Sequence, residues 1–196
     1  MYKIRYVLAF TFALTACQAS GPTRISYISV EPAYRYSEFT YASGSGEMRT
    51  VITGDPFSIG RKEFDSAVTK AMYGHHFGPP VVFTTTPDKE KINHHYSVIM
   101  MFDAPPTYGG IRICQGLPEN APSPPEQKPS ADQPVYVAAG FCQDDVALTY
   151  LAGVMARSGV DDPAFRNYIG EVTMRLFPVF NQEMLPDRDH EFPFPP

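Results

Sequence analysis

The alternation of apolar and polar positions predicts a series of short β-strands that begins near residue 25. Ile25–Val30 is rich in β-branched and aromatic residues and predicts a strand at a sheet edge. Two further segments, 36–41 and 48–53, flank Ser43-Gly44-Ser45-Gly46, whose glycines are typical of a hairpin turn. The remaining strands are expected at 81–85, 95–102, 111–115 and 135–141. The longest of these apolar runs, His95–Phe102, is placed at the centre of the sheet, where both faces of a strand are covered.

Three segments show helical spacing of their apolar residues. In Arg61–Tyr73 the predicted buried stripe consists of Phe64, Ala67, Val68, Ala71 and Met72. A second helix is expected from Asp144 to Arg157. The third is expected to begin at Pro163 with Asp162 as its cap, and to end near Phe177, before Pro178.

Leaving aside the strand Ile25–Val30, the resulting order of elements, β-β-α-β-β-β-β-α-α, predicts an α+β fold, with a mostly antiparallel sheet and helices packed on one side. We expect a single domain over residues 35–181, with a proline-rich insertion at 116–134. A small, polar tether is expected at 17–34. A flexible segment rich in proline and aromatic residues is expected at 182–196.

The first 17 residues have the layout of a secretory signal. Lys3 and Arg5 precede an uncharged apolar run, and small residues then lead to Cys17. Leu14-Thr15-Ala16-Cys17 resembles the lipobox of bacterial lipoproteins. This resemblance covers Met1 to Gln18 only, and we recognise no domain family in the rest of the chain.

The resemblance implies that residues 1–16 are a signal peptide and that Cys17 becomes the lipidated, palmitate-bearing first residue of the mature chain. The lipid would anchor the protein in a bacterial cell envelope, facing the periplasm. In such proteins an Asp after the cysteine favours the inner membrane, whereas Gln18 stands here. The outer membrane is therefore the expected location.

The charge balance argues against nucleic acid as a partner. Loss of Lys3 and Arg5 leaves 14 basic residues against 21 acidic ones, a net charge of about −7. The sequence contains no basic run long enough to follow a phosphate backbone. Membrane contact is therefore expected through the lipid on Cys17.

Cys114 and Cys142 are the other two cysteines, and a pair in an exported protein usually forms a disulfide. If strands 111–115 and 135–141 formed a simple hairpin, Cys114 would lie opposite Tyr136, and Cys142 would be roughly 20 Å away. Bonded cysteines need Cα atoms within about 7 Å. We predict the bond, which requires that these two segments are not hairpin partners.

Two histidine pairs, His75-His76 and His94-His95, are candidate ligands for zinc or copper. Neighbouring residues on a strand point to opposite faces, so at most one member of each pair would normally serve. No spacing in the chain suggests the third protein ligand that a catalytic zinc site needs. The alternative is that His75 and His76 complement a helix C-terminus and that His94 and His95 lie in a turn.

Phe192 and Phe194 belong to Phe-Pro-Phe-Pro-Pro near residue 196, a type of segment that grooved partners recognise in an extended conformation. The alternatives are a solvated spacer or a segment folded over the domain's own aromatic residues. These two phenylalanines are therefore candidate partner-binding residues.

No arrangement of residues in the sequence matches a catalytic motif or a phosphate loop. We therefore expect a non-enzymatic lipoprotein without a cofactor, which binds an envelope protein in assembly, scaffolding or an accessory role. The alternative is a metal-binding or metal-dependent periplasmic protein that uses the histidine pairs. A hydrolase without a recognisable motif is a third possibility.

Overall fold

The computed structural model describes residues 23–103, 109–115, 130 and 133–180. Cys17, Phe192 and Phe194, the predicted tail and most of the proline-rich insertion lie outside these residues. The strands are β1 (Arg24–Val30), β2 (Glu47–Thr53), β3 (Val82–Thr84), β4 (Tyr96–Phe102), β5 (Val135–Gln143) and β6 (Val146–Met155). The α-helices are α1 (Tyr36–Ser43), α2 (Arg61–Met72) and α3 (Pro163–Leu176), and a 3-10 helix spans Gly110–Gln115. Among the described helices, none combines the length and the apolar character that crossing a bilayer requires.

The strands form one six-stranded sheet in the order β1-β6-β5-β4-β2-β3. The pairs β1–β6, β6–β5 and β5–β4 are antiparallel. Strand β2 pairs in parallel with both β4 and β3. The predicted α+β class, with a mostly antiparallel sheet and helices on one side, is confirmed, and β4 lies near the middle of the sheet as predicted.

The two faces of the sheet are covered differently. On one face the three α-helices enclose the larger core, to which Phe39, Phe64 and Phe165 each contribute a buried ring. On the other face a smaller cluster forms around Ile113 of the 3-10 helix and Ala138 of β5. Alternate residues of β5 therefore enter different clusters, as the period of a strand requires.

The predicted hairpin at 36–53 is wrong in its first arm. Tyr36–Ser43 is helix α1, while Glu47–Thr53 is a strand as expected. The segment YSEFTYAS fits alternation and helical spacing about equally well. Packing decides between them, because a helix buries Phe39, Ala42 and Ser43 together on one side.

The predicted helix from Asp144 to Arg157 is also wrong. Its main part is strand β6, and Asp144 and Asp145 form the short turn that joins β5 to β6. Asp144 has φ +52°, a left-handed conformation that aspartate tolerates better than most residues. Because β6 is buried on both faces over much of its length, it is a nearly continuous apolar run, which does not distinguish a strand from a buried helix.

The predicted strand 111–115 is the 3-10 helix, and this resolves the geometry of the cysteines. The helix lies across the smaller core instead of pairing with β5. Cys114 and Cys142 are bonded, with Cα atoms 5.6 Å apart. The predicted disulfide is therefore present, and a 3-10 helix allows it where a hairpin would not.

Helix α3 follows the prediction closely. Its cap is Asp162, whose Oδ1 accepts the N–H of Ala164 at 2.8 Å, and Pro163 is its first residue. The hydrogen bonds of Asp162, first from Ser158 and then from the Ala164 N–H, lower the pKa of its carboxyl group. The apolar residues Phe165, Ile169, Val172 and Leu176, at helical spacing in the sequence, are buried.

The strands of the sheet end on two opposite sides, which we name by the elements found there. In these names, 'edge' means the side where the strands end and not an outermost strand. The β1-start edge is where β1 begins and where β2, β4 and β6 end. The α1 edge is the opposite end, where β1 ends, α1 crosses to β2, and β4 begins. Because α2 follows β2 and α3 follows β6, both helices begin at the β1-start edge and run towards the α1 edge.

Candidate binding surface

Several large aromatic side chains are exposed at the α1 edge, including Phe180, which follows the end of α3 and is 79% exposed. Tyr41 in α1 is 69% exposed, Tyr73 at the end of α2 is 63% exposed, and Phe77 in the following loop is 60% exposed. Together with His94 and His95 at the start of β4, they define what we call the α1-edge surface. Exposed aromatic residues of this kind are enriched in protein–protein contacts.

Tyr41 stands on a well-packed support. Its ring meets the ring of Tyr96 edge to face, with centroids 6.1 Å apart. The Tyr96 hydroxyl donates to Glu38 and accepts from Gln143 Nε2 at 3.3 Å. Burial, reinforced by the bond to Glu38, raises the pKa of Tyr96 to about 12, so its hydroxyl stays protonated across the physiological range. Tyr41 therefore packs against a ring that is itself held in place by hydrogen bonds.

An open depression of about 620 Å³ lies beside Tyr41. Its lining includes Ser45, Asn93, His94 and His95. His95 Nδ1 is 3.0 Å from Asp144 Oδ1, and both side chains are more than 60% exposed. Solvent weakens such a pair, which contributes at most about 1 kcal/mol. The depression combines an aromatic wall with imidazole groups, and the Asp144 carboxylate lies beside it, which suits recognition of another surface.

Phe77 is directed outwards by the close packing of its neighbours. The His76 ring meets the rings of Phe39 at 5.2 Å and Phe83 at 5.8 Å, and this burial lowers its pKa. Gly78 has φ +114°, and a Cβ there would come within 2.4 Å of the Tyr36 hydroxyl. Only glycine fits this position, so the turn that exposes Phe77 is fixed by packing.

Both predicted histidine pairs lie at the α1 edge, but they have different neighbours. His75 packs against Gly170 of α3, and His76 is wedged between aromatic rings. His94 and His95 face the depression beside Tyr41. Within the part of the chain that the structure describes, no three His, Cys, Asp or Glu residues come together in a way that could hold a metal ion.

A second, larger depression of about 840 Å³ lies between α2 and α3, towards the β1-start edge. Its rim carries the basic side chains of Arg61, Lys62, Lys70 and Arg166. Arg61 is engaged with Asp65 at 3.0 Å and with the Ile52 carbonyl oxygen. Glu63 and Asp161 also line the depression, so this edge carries charged groups of both signs, whereas the α1 edge carries aromatic and imidazole groups.

The sequence contained only part of this surface. It indicated His94 and His95, but not Tyr41, Tyr73 or Phe77, because their exposure depends on where α1 and the end of α2 lie in the fold. One signal was available. Tyr73 and Phe77 flank Gly74 and two histidines just beyond the predicted helix, where a core stripe has already ended.

Comparison with known proteins adds no family to this description. No family model, no curated protein and no solved structure matches the chain.

Proposed function

We propose that this protein is a lipid-anchored module of the cell envelope that faces the periplasm and binds another envelope protein. It acts in assembly, scaffolding or an accessory role and carries out no reaction of its own. The observation that carries the proposal is the α1-edge surface, where Tyr41, Tyr73 and Phe77 expose aromatic side chains at the end of the sheet away from the start of β1.

The anchor in this proposal is Cys17 in its lipobox-like context, with the outer membrane as the favoured location. The disulfide between Cys114 and Cys142 supports an oxidising compartment such as the periplasm. Phe192 and Phe194 are additional candidate contacts, because the chain continues beyond Phe180 from the C-terminal end of α3, at the α1 edge.

The partner is expected to offer apolar and basic side chains. Tyr41 and Phe77 provide aromatic surface that releases water on contact. Asp144 and Asp145 in the adjacent β5–β6 turn, and Glu38 beneath Tyr41, give the same edge acidic groups. A cationic side chain could then meet both a ring face and a carboxylate.

Photo-crosslinking in living cells tests this proposal. A benzoylphenylalanine residue placed at Tyr41 or Phe77 should give one discrete adduct with an envelope protein. The matched control is Ile111, which is 58% exposed but lies in the 3-10 helix on the other face of the sheet. No adduct at Tyr41 or Phe77, or the same adducts at all three positions, would count against the α1-edge surface as the contact.

Metal binding through the histidine pairs is the second candidate function. The pairing of His95 Nδ1 with Asp144 favours it, since a carboxylate on one imidazole nitrogen is how metal-bound histidines are commonly oriented. Calorimetric titration with Zn²⁺ and Cu²⁺ should then show stoichiometric binding. That binding should be lost in the His94→Ala/His95→Ala variant. Titrations without heat in the wild-type chain would exclude this function.

A further inference from the structure

The short connection between Cys17 and the sheet limits how the domain can stand on a membrane. The first residue that the structure describes is Thr23, whose Oγ1 accepts the N–H of Ala156 at 3.0 Å. Only residues 18–22 separate it from Cys17. Six steps of extended chain reach about 20 Å at most. If Cys17 is anchored in the bilayer, Thr23 lies within about 20 Å of the membrane surface.

This reach excludes an inverted domain, that is, one whose α1 edge faces the membrane. Strand β6 runs from the α1 edge to the β1-start edge in 10 residues, a length of about 30 Å. With the α1 edge on the membrane, Thr23 would lie about 30 Å above it, beyond the reach of the connection. Two orientations keep Thr23 close enough to the membrane. In the upright one the β1-start edge faces the membrane, and in the other the domain lies flat.

The charged groups at the β1-start edge favour the upright arrangement. Arg24, Lys62 and Arg166 are exposed there, at or near the starts of β1, α2 and α3. The positive ends of the α2 and α3 dipoles point the same way. Such an edge complements the phosphate groups of lipid headgroups.

Several carboxylates at the same edge are engaged within the protein. Asp55 accepts the N–H of Gly60 at 2.8 Å, and Asp103 pairs with Arg157 at 2.7 Å. Asp65 and Asp162 are likewise bonded, as described above. Glu63 and Asp161 also lie at this edge, on the rim of the depression between α2 and α3. These bonds hold the carboxylates against the domain without removing their charge. Among these residues, the exposed side chains are four basic ones, Arg24, Arg61, Lys62 and Arg166, against two acidic ones, Glu63 and Asp161.

We propose that the β1-start edge is a membrane-contact surface, on which Arg24, Lys62 and Arg166 meet the lipid phosphate layer. The proposal rests on the anchoring of Cys17 put forward above. It places the α1-edge surface about 30 Å further from the bilayer, where a partner can reach it.

Fluorescence quenching in vesicles tests the arrangement. The full mature protein is reconstituted in phosphatidylethanolamine and phosphatidylglycerol vesicles that contain a lipid spin-labelled at its headgroup. A fluorescent amino acid replaces either Glu63 or Tyr73, exposed positions about 15 Å apart along α2. Quenching is expected to be several-fold stronger at position 63 than at 73. Equal quenching, as for a flat domain, or stronger quenching at 73 would overturn the proposal.

A charge-matched pair of variants tests the contribution of the basic residues. Lys62→Gln with Arg166→Gln should weaken the quenching at position 63. Lys89→Gln with Lys91→Gln removes the same charge from the loop beside Glu47 at the α1 edge and should leave it unchanged. Quenching that is unaffected by the first variant would refute headgroup contact.

A mass spectrum of each reconstituted sample separates this proposal from the one on which it rests. Acylated Cys17 with equal quenching at both positions contradicts the orientation alone. A chain without acyl groups contradicts the anchor, and with it both proposals.

Discussion

The disulfide offers the sharpest test of how this fold is held together. It joins Cys114 in the 3-10 helix to Cys142 in β5, across 28 positions of sequence. In the loop-closure model this constraint removes about 12 cal/mol/K from the unfolded chain, or about 3.5 kcal/mol at 25 °C. We therefore expect that reduction lowers the free energy of unfolding by an amount of this order.

The assay is urea denaturation of the oxidised and reduced protein in a Cys17→Ser background, so that the reductant acts on this pair alone. At the slopes usual for proteins of this size, the expected loss shifts the midpoint by about 1 to 2 M urea. Reduction removes no atoms, so the shift reports the crosslink itself. In the Cys114→Ala/Cys142→Ala variant the loss should be larger, because both sulfurs belong to the smaller core.

Unchanged midpoints after complete reduction would refute the loop-closure argument. A second observable is the slope of the transition. If reduction releases the 3-10 helix from the sheet without unfolding the rest, the native state buries less surface and the slope falls. Hydrogen exchange at Gly110–Gln115 would then accelerate selectively.

Three further predictions concern single residues. Phe39→Ala should lower the free energy of unfolding by about 3 to 5 kcal/mol in urea denaturation, because this ring is fully buried; a loss below about 1 kcal/mol would contradict its central place in the core. Gly140→Ala should cost about 1 to 3 kcal/mol, since the new methyl group would lie 2.4 Å from the Ile113 side chain, whereas Gly44→Ala, with helical φ and ordinary contacts, should be nearly neutral. Equal effects of the two glycine substitutions would contradict the close approach at position 140. Burial lowers the pKa of His76 in the folded protein, so as the pH falls the unfolded chain is protonated before the folded one. The contribution of His76 to the free energy of unfolding should therefore be fully present above about pH 6.5 and decline as the pH falls towards the folded-state pKa. In His76→Phe this part of the pH dependence should disappear from denaturation curves between pH 8 and 5; its persistence would assign it to another group.

Local signals in the sequence were sufficient to predict the elements whose ends carry a capping residue, a proline or a glycine. Asp162 and Pro163 fixed the start of α3, and the apolar stripe of α2 ended at a glycine. Such features act within a few residues, so they do not depend on the rest of the fold. The prediction of the disulfide also succeeded, because it depended on the compartment and not on the strand pairing.

The errors occurred where distant contacts decide the structure. Helix α1 forms because Phe39 stacks on Phe177, a contact across the whole chain. Strand β6 is apolar on both faces because α3 packs on one face of the sheet and the 3-10 helix on the other. The α1-edge surface follows from the same long-range arrangement, which explains why the sequence indicates its histidines but not its aromatic residues.

The most direct test of the central claim is the mass of the N-terminal peptide of the protein extracted from bacterial membranes. The account predicts a peptide that begins at Cys17 and carries fatty-acyl chains, and it predicts that Cys17→Ser abolishes both the cleavage and the membrane association. A peptide that retains residues 1–16, or one that begins with an unmodified cysteine, would contradict the anchor and the membrane-facing arrangement that depends on it.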